Sequence, residues 1–499
     1  MSATMPIYLD YAATTPLDPE VVRAMSECLT LAGDFGNPSS AHQFGHAAAA
    51  RVARARAQVA MLIGADEEEI IFTSGATESN NLAILGSAAA AGERGRHVVT
   101  MRTEHKAVLD PCKHLEKSGF SVTYLTPERS GLLTPAALAA ALRPDTILAS
   151  VMCVNNETGV LQDIAGLATV CRERGIAFHS DCAQAAGKVP LDVRGLAVDF
   201  LSFTAHKLYG PKGIGALYVR RSARAALRAI SFGGGQERGL RPGTLATHQI
   251  VGFGAACELA AARLLEEPAR LGALRERLWE GLAALGGVHL NGHDAPRAPG
   301  ILNVSFEGVD GESLVAGLDG LAVSTGAACN SESREPSYVL RALGRDARLA
   351  ESSLRFSLGR FSDEADVAFA VSAVSGWVRH LRALSPAGPA PEDWPVAAAV
   401  SGGTLVCGEG GGPARPAWVR LELLVAGDTV KDARFRALGC PHTLDVAAWL
   451  CERLRGRSRA QLIPGGPEEW AQARAVPVEK LGRLLLLEDA LHACLLHWP

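Results

Sequence analysis

Aromatic side chains are scarce in this chain, at 5% of 499 residues, and there are only 6 methionines. Its interior must therefore be filled by aliphatic residues and alanine, because apolar residues still make up 48% of it. Neither sign of charge prevails: 49 Lys and Arg stand against 53 Asp and Glu, a formal net charge of −4. With no basic stripe and no polybasic run, the composition points away from nucleic acid and from an anionic membrane surface. No uncharged apolar run reaches the roughly 20 residues needed to span a bilayer. Met1 to Pro6 has neither the charged nor the apolar region of an export signal. The 11 cysteines show no CxxC and no paired spacing. That argues against a disulfide frame and predicts reduced, mostly buried thiols in a cytoplasmic protein.

What is present is an alternation of strands and helices over most of the length. Strand candidates are Glu69 to Thr73, His97 to Thr103, Ser121 to Leu125, Thr146 to Met152, Ala177 to Ser180, Phe200 to Thr204 and Ala216 to Val219. They are apolar without alternation and helical stretches lie between most of them, which predicts an α/β fold with a mainly parallel sheet covered on both faces. Ligands on such sheets bind beyond the carboxyl ends of the strands. Helices over Ala255 to Leu265 and Arg270 to Leu285, strands near Gly300 to Phe306 and Leu354 to Leu358, and a closing helix Glu364 to Leu384 predict a smaller α/β domain. Four prolines between Ser385 and Pro395 mark a semi-rigid linker. Beyond it, Val419 to Val425, Asp432 to Ala437, Thr443 to Leu454 and Glu488 to Leu496 suffice for a small separate domain. The expected division is 1–385, with a large domain over about 16–260 and a small one over about 261–385 plus the N-terminal segment, then a linker 386–397, then 398–499.

The chemistry centres on Ser202-Phe203-Thr204-Ala205-His206-Lys207, where an apolar strand delivers a lysine. An ammonium at the mouth of a buried strand loses water, its pKa falls, and the amine can then condense with an aldehyde. Other polar groups gather at neighbouring strand ends. Ser74-Gly75-Ala76-Thr77 offers backbone N–H groups at a helix start, which suits a phosphate, though it also fits an ordinary capped turn. Glu104-His105, Asn155-Asn156 and Asp181 with Gln184 close three more strands. Each has a plain structural reading as well, a packing histidine or a helix cap. Converging on one sheet edge, a lysine, an aspartate, a histidine and a phosphate cradle are what a pyridoxal phosphate site needs.

Thr73-Ser74-Gly75-Ala76-Thr77-Glu78-Ser79-Asn80-Asn81, Val154-Asn155-Asn156-Glu157-Thr158-Gly159 and Ala205-His206-Lys207 resemble the class V aminotransferase superfamily. Gly234 to Thr244, Gly326-Ala327-Ala328-Cys329-Asn330-Ser331 and Glu335 to Gly344 narrow the resemblance to cysteine desulfurases of the IscS/NifS type, over about residues 6 to 385. It implies fold type I of pyridoxal 5′-phosphate enzymes and the conversion of L-cysteine to L-alanine, with sulfur held as a persulfide on Cys329 for iron–sulfur cluster assembly or other transfer. By the resemblance Lys207 would hold the cofactor and move protons, His105 would stack on its ring and assist, and Asp181 would keep the ring nitrogen protonated. Gln184 and Asn156 would meet the phenolic oxygen. Ala76, Thr77, Thr204 and His206 would bind the phosphate, with Thr244 supplied by a partner in a homodimer. Arg355 would clamp the substrate carboxylate, helped by Asn37 and Asn156. A selenocysteine lyase, another class V enzyme, or an assembly platform with an inactive enzyme half are the competing readings.

The tail carries Asp432 to Cys440 and Leu487-Glu488-Asp489-Ala490, which resemble the IscU/NifU N-terminal scaffold on which iron–sulfur clusters are built. The family's three ligand cysteines reduce here to Cys440. Arg415 and Arg483 fall where the other two belong, and Cys407 comes several residues early. Cationic arginine cannot replace a thiolate ligand, so no metal site is expected. Cys440 remains a candidate sulfur or iron contact, and docking of a scaffold or acceptor protein and a purely structural role stay open beside it.

Overall fold

A computed structural model describes residues 5–318, 320–325, 336–384, 403–411 and 417–499. Its largest sheet has seven strands in the order Ile70–Thr73, Gly215–Val219, Phe200–Thr204, Ala177–Asp181, Thr146–Ser150, His97–Met101, Ser121–Leu125. Gly215–Val219 runs antiparallel to both neighbours, and the other pairings are parallel. Strands such as Phe200–Thr204 and His97–Met101 are buried at every position, which is why their sequences lack alternation. The edge strand Ser121–Leu125 is the partly exposed exception.

One close approach positions the site. A Cβ on Gly215 would lie 2.7 Å from the Cα of Gly75, and Gly75 itself has φ of +154°. Only glycines at both places let the turn between Ile70–Thr73 and the helix Ala76–Ala91 sit against the neighbouring strand. The helix start is thereby aimed across the carboxyl ends of the sheet.

A second sheet, antiparallel and four-stranded, runs Ser324–Thr325, Ser353–Ser357, Ile301–Phe306, Val288–Leu290. Leu274 and Leu278 of the helix Glu267–Ala283 and Val374 and Val378 of Glu364–Leu384 close its core around Phe306 and Phe356. The N-terminal strand Ile7–Tyr8 pairs with Leu321–Ala322, so Leu9 belongs to this core while Ala12 already packs in the large one.

The C-terminal part has its own antiparallel sheet, Thr404–Gly411, Trp418–Ala426 and Thr429–Leu438, and a separate core around Leu421, Leu450, Trp470 and Leu487. The first of these strands was absent from the sequence reading because its glycines look like loop. Here they are needed: a Cβ on Gly408 or Gly410 would meet the carbonyl oxygens of Ala490 or Leu486 at 2.1 and 1.8 Å, in the helix Leu481–Leu496. This part rests on the four-stranded unit: Ser313 Oγ donates to the Gly439 carbonyl at 2.7 Å, Lys480 pairs with Glu312, and Leu444 packs against the core of that unit. Nine of the ten described cysteines are buried, and none of the ten is in a disulfide. Among the described residues no helix is long and apolar enough to cross a membrane.

Candidate active site

The buried strand Phe200–Thr204 ends in the short 3-10 turn Ala205–Lys207, which projects the lysine past the sheet edge. Lys207 is half-buried, and its Nζ donates to the carbonyls of Ala12 and Ala13, the latter at 2.6 Å. It lines a cavity of about 570 Å³ that also takes in Ala76, Thr77, His105, Asn156, Asp181, Gln184, Thr204, His206 and Arg355. Ten residues picked from five strand ends and two sheets thus share one space. Asn37 and Thr244 do not: both are exposed and neither lines the cavity, and Asn37 accepts from the Ser39 backbone in a local turn. Cys329 lies outside the described residues.

One end of the cavity suits an anion. The helix Ala76–Ala91 begins at Gly75 with no side-chain cap, leaving backbone N–H groups and the positive end of the helix dipole facing inward. Thr77, Thr204, His206 and Lys212 surround it. Burial, then the charges of Lys207, Lys212 and Lys188, push the His206 pKa down to about 4, so its ring is neutral. The one nearby carboxylate, Glu78, is tied to the Ser74 N–H and to Arg241, and these contacts keep its pKa low despite burial.

The other end suits a cation. Asp181 is buried, and its carboxylate accepts from Asn80 Nδ2 at 2.7 Å and from the Ala183 N–H at 2.9 Å. His105 caps the helix Lys106–Lys117 by accepting the Ala107 N–H on Nδ1 at 3.1 Å, so its neutral ring carries its proton on Nε2. Burial lowers its pKa, with Lys207 acting the same way and Asp181 opposing. Behind it Glu104 is buried, its pKa pushed well up by desolvation.

Arg355, buried on Ser353–Ser357, donates Nη2 to Asp10 at 2.7 Å and to Ser324 Oγ at 3.0 Å, and Nη1 to the Asn156 carbonyl at 3.0 Å. Its Nε is buried with no hydrogen-bond partner, as is Asn80 Oδ1. An anion cradle, a buried aspartate, an amine between them and an unsatisfied guanidinium N–H fit pyridoxal 5′-phosphate and an amino-acid carboxylate.

Sequence reasoning passed over Asn80, Lys212 and Lys188. Asn80 stands three residues beyond Thr77 on one helix face, and Lys188 four residues beyond Gln184, spacings that bring side chains together. In the tail, Cys407 lies on a strand with Arg420 Nη2 at 3.4 Å from its sulfur, so no loop carries it toward Cys440. Cys440 is buried at the start of Pro441–Leu454, its sulfur 3.4 Å from Thr443 Oγ1. Arg415 lies outside the described residues, and among those described no cluster of three or more His, Cys, Asp or Glu could hold a metal.

Residues 7–369 match the family model Aminotransferase class-V. A curated relative, the cysteine desulfurase IscS of Pectobacterium atrosepticum, is 55% identical over 383 residues, covering 77% of this chain and 95% of that protein. Among solved structures, a NifS-like protein superimposes with a TM-score of 0.69 at 35% identity, over 74% of this chain and 99% of that one. A structure described as SspA in complex with cysteine gives 0.64 at 40% identity, over 70% and 98%.

Proposed function

The chain belongs to the class-V aminotransferase family, and from that we propose that it is a pyridoxal-phosphate-dependent cysteine desulfurase that turns L-cysteine into L-alanine and passes the sulfur on. The observation that carries this reading is the cavity, where Lys207, Asp181, His105, Arg355 and an uncapped helix start meet. When bound, pyridoxal phosphate supplies an electron sink for charge developing at the substrate α-carbon.

The chain's own groups do the rest. Lys207 leaves the carbonyls of Ala12 and Ala13 to hold the cofactor, and afterwards carries a proton to and from the α-carbon. Asp181, fixed by Asn80 and Ala183, holds a proton on the ring nitrogen. His105 would cover the ring and present Nε2–H, while Gln184 and Asn156 would hold the phenolic oxygen. The helix start at Ala76 and Thr77, with Thr204 and His206, binds the phosphate. Arg355 offers its spare Nε–H to the substrate carboxylate. The Cys329 thiolate attacks the substrate sulfur: an S–S bond forms and the Cβ–S bond breaks. Its electron pair stays on Cβ, which gains a proton and becomes the methyl of alanine.

Thr244, exposed and not among the residues lining its own cavity, would complete the phosphate site of a second copy, which would make the working unit a homodimer. Reduced, buried cysteines suit the cytoplasm. The division into a desulfurase over 1–385 and an IscU-like module over 398–499 follows the separate cores. In that module Arg483 sits near Asp310 and Glu351, tempering the rise that burial gives their pKa values, and Cys440 is buried at the end docked on Ser313. A docking role fits these features better than cluster assembly or sulfur acceptance. Asn37 remains a carboxylate contact only if its loop meets the substrate from outside the cavity.

The test is alanine production from cysteine. Cys329→Ala is expected to abolish it while the visible cofactor absorption stays; alanine formed at the unmodified rate would overturn the assignment.

A further inference from the structure

Lys188 follows Gln184 by four residues on the turn after Ala177–Asp181, where the Val189 N–H returns to the Ala185 carbonyl. Its Nζ donates to Gln184 Oε1 at 2.9 Å, and Gln184 Nε2 donates to the Ala12 carbonyl at 2.7 Å, the same oxygen that Lys207 engages. An ammonium has three donors and no acceptor, so it takes the oxygen end of the amide and leaves both N–H groups for Ala12 and the cavity. Gln184 is buried, so either amide end would be costly to leave unmatched.

The setting is unusual for a lysine. The charges of Lys207 and Arg355, both lining the large cavity, act on it. Glu267, Tyr209 and Arg360 line, with it and with Lys207, a second cavity of about 40 Å³. Burial and the two cations bring its pKa down to about 7, against partial help from Glu267.

We propose that Lys188 is a positioning residue for the reaction: it orients and polarises the Gln184 amide so that an N–H backed by positive charge meets the ligand atom beside Lys207, and so lowers the proton affinity of the Lys207 nitrogen. This rests on the reading that Lys207 holds pyridoxal phosphate and that Gln184 faces its phenolic oxygen. A donor at that oxygen withdraws electron density from the Lys207 nitrogen, and a nearby cation opposes protonation there. Both effects have the same sign.

The cofactor-loaded full chain reports the result, because its visible absorption changes as the Lys207 nitrogen titrates. Lys188→Met is expected to raise the pH of that transition by about one unit, a tenfold gain in proton affinity. Lys188→Arg, which keeps donor and charge, should shift it by less than half as much. Lys188→Met placed on Gln184→Leu should shift it by clearly less than Lys188→Met does in the unmodified protein, since the part that passes through the amide is already lost and only the direct effect of the charge remains. A transition in Lys188→Met that coincides with the unmodified protein overturns the proposal, and so does a full additional shift in the Gln184→Leu background. A lysine that serves packing alone would lower Tm and leave the transition in place. If Lys188→Met does not fold, Lys188→Gln keeps a donor without charge and must still move the transition upward. If the unmodified protein with added pyridoxal phosphate shows no visible transition at all, the reading of the site falls together with this proposal.

Discussion

Arg355 is held on three sides before any substrate arrives, by Asp10, Ser324 and the Asn156 carbonyl, which leaves the Nε–H and the second Nη1–H of its five donors. Its planar fork is what permits this, and a lysine ammonium cannot reproduce it. Arg355→Lys is expected to lower kcat/KM for cysteine by about ten- to a hundredfold, the worth of one charge-assisted hydrogen bond. The loss should fall mainly on KM, and steady-state kinetics would decide it; an unchanged KM would sink the assignment. Asn80 poses a different question. Asn80→Ala leaves Asp181 Oδ2 without its donor, at a cost of about 1–3 kcal/mol, so Tm and cofactor affinity should fall together. At this scale Lys207, Asp181 and His105 were legible because each ends a recognisable strand. Asn80 and Lys188 were not, because their importance comes from a partner in a different or folded-back segment.

Eight residues beyond Cys329, Ser337 caps the helix Tyr338–Ala342. Ser337 donates to the Glu157 carboxylate, and Tyr338 donates to the Glu104 carbonyl at 2.8 Å, so two loops of the large sheet grip this element. Burial pushes the Glu157 pKa from 4.5 up to about 7, against smaller opposing effects of Ser337 and Arg355. A carboxyl with a raised native pKa binds its proton more tightly when folded. Its contribution to stability is therefore retained below pH 4.5 and lost as pH rises towards 7, at a cost of about 3 kcal/mol above that. Glu157→Gln removes the titration, so it should raise Tm at pH 8 and change it little at pH 5. Calorimetry at the two pH values checks this, and equal gains at both would refute it. At the scale of elements, the buried strands were readable from unbroken apolar runs. Thr404–Gly411 was not, since its glycines answer a helix that packs on it from 70 residues further along the chain, at Leu481–Leu496.

Among the described residues there are four apolar clusters, two against the seven-stranded sheet, one in the four-stranded unit and one in the C-terminal part, which meets the rest at Ser313, Glu312 and Leu444. None of these contacts touches a residue of the cavity. A chain ending at Leu384 should therefore keep its visible cofactor absorption and its kcat, and a large loss of either would show that the tail supports catalysis. Titration of the full chain with ferrous iron should give no thiolate-to-iron absorption from the tail, because arginines stand where two ligands would be. A tight site that is lost on Cys440→Ala would reverse that conclusion.

The order of residues along the chain was enough to determine a mainly parallel sheet with a lysine at its edge, because apolar periodicity and strand-end motifs are local properties, and the resemblance of those motifs to a known family supplied the expected chemistry. Only the tertiary structure decided which polar groups share one cavity, that Gln184 is backed by Lys188, and that the Cys440 end is turned against the four-stranded unit. Those facts depend on contacts between segments far apart in the chain, where burial and geometry, not neighbouring residues, determine what each side chain meets.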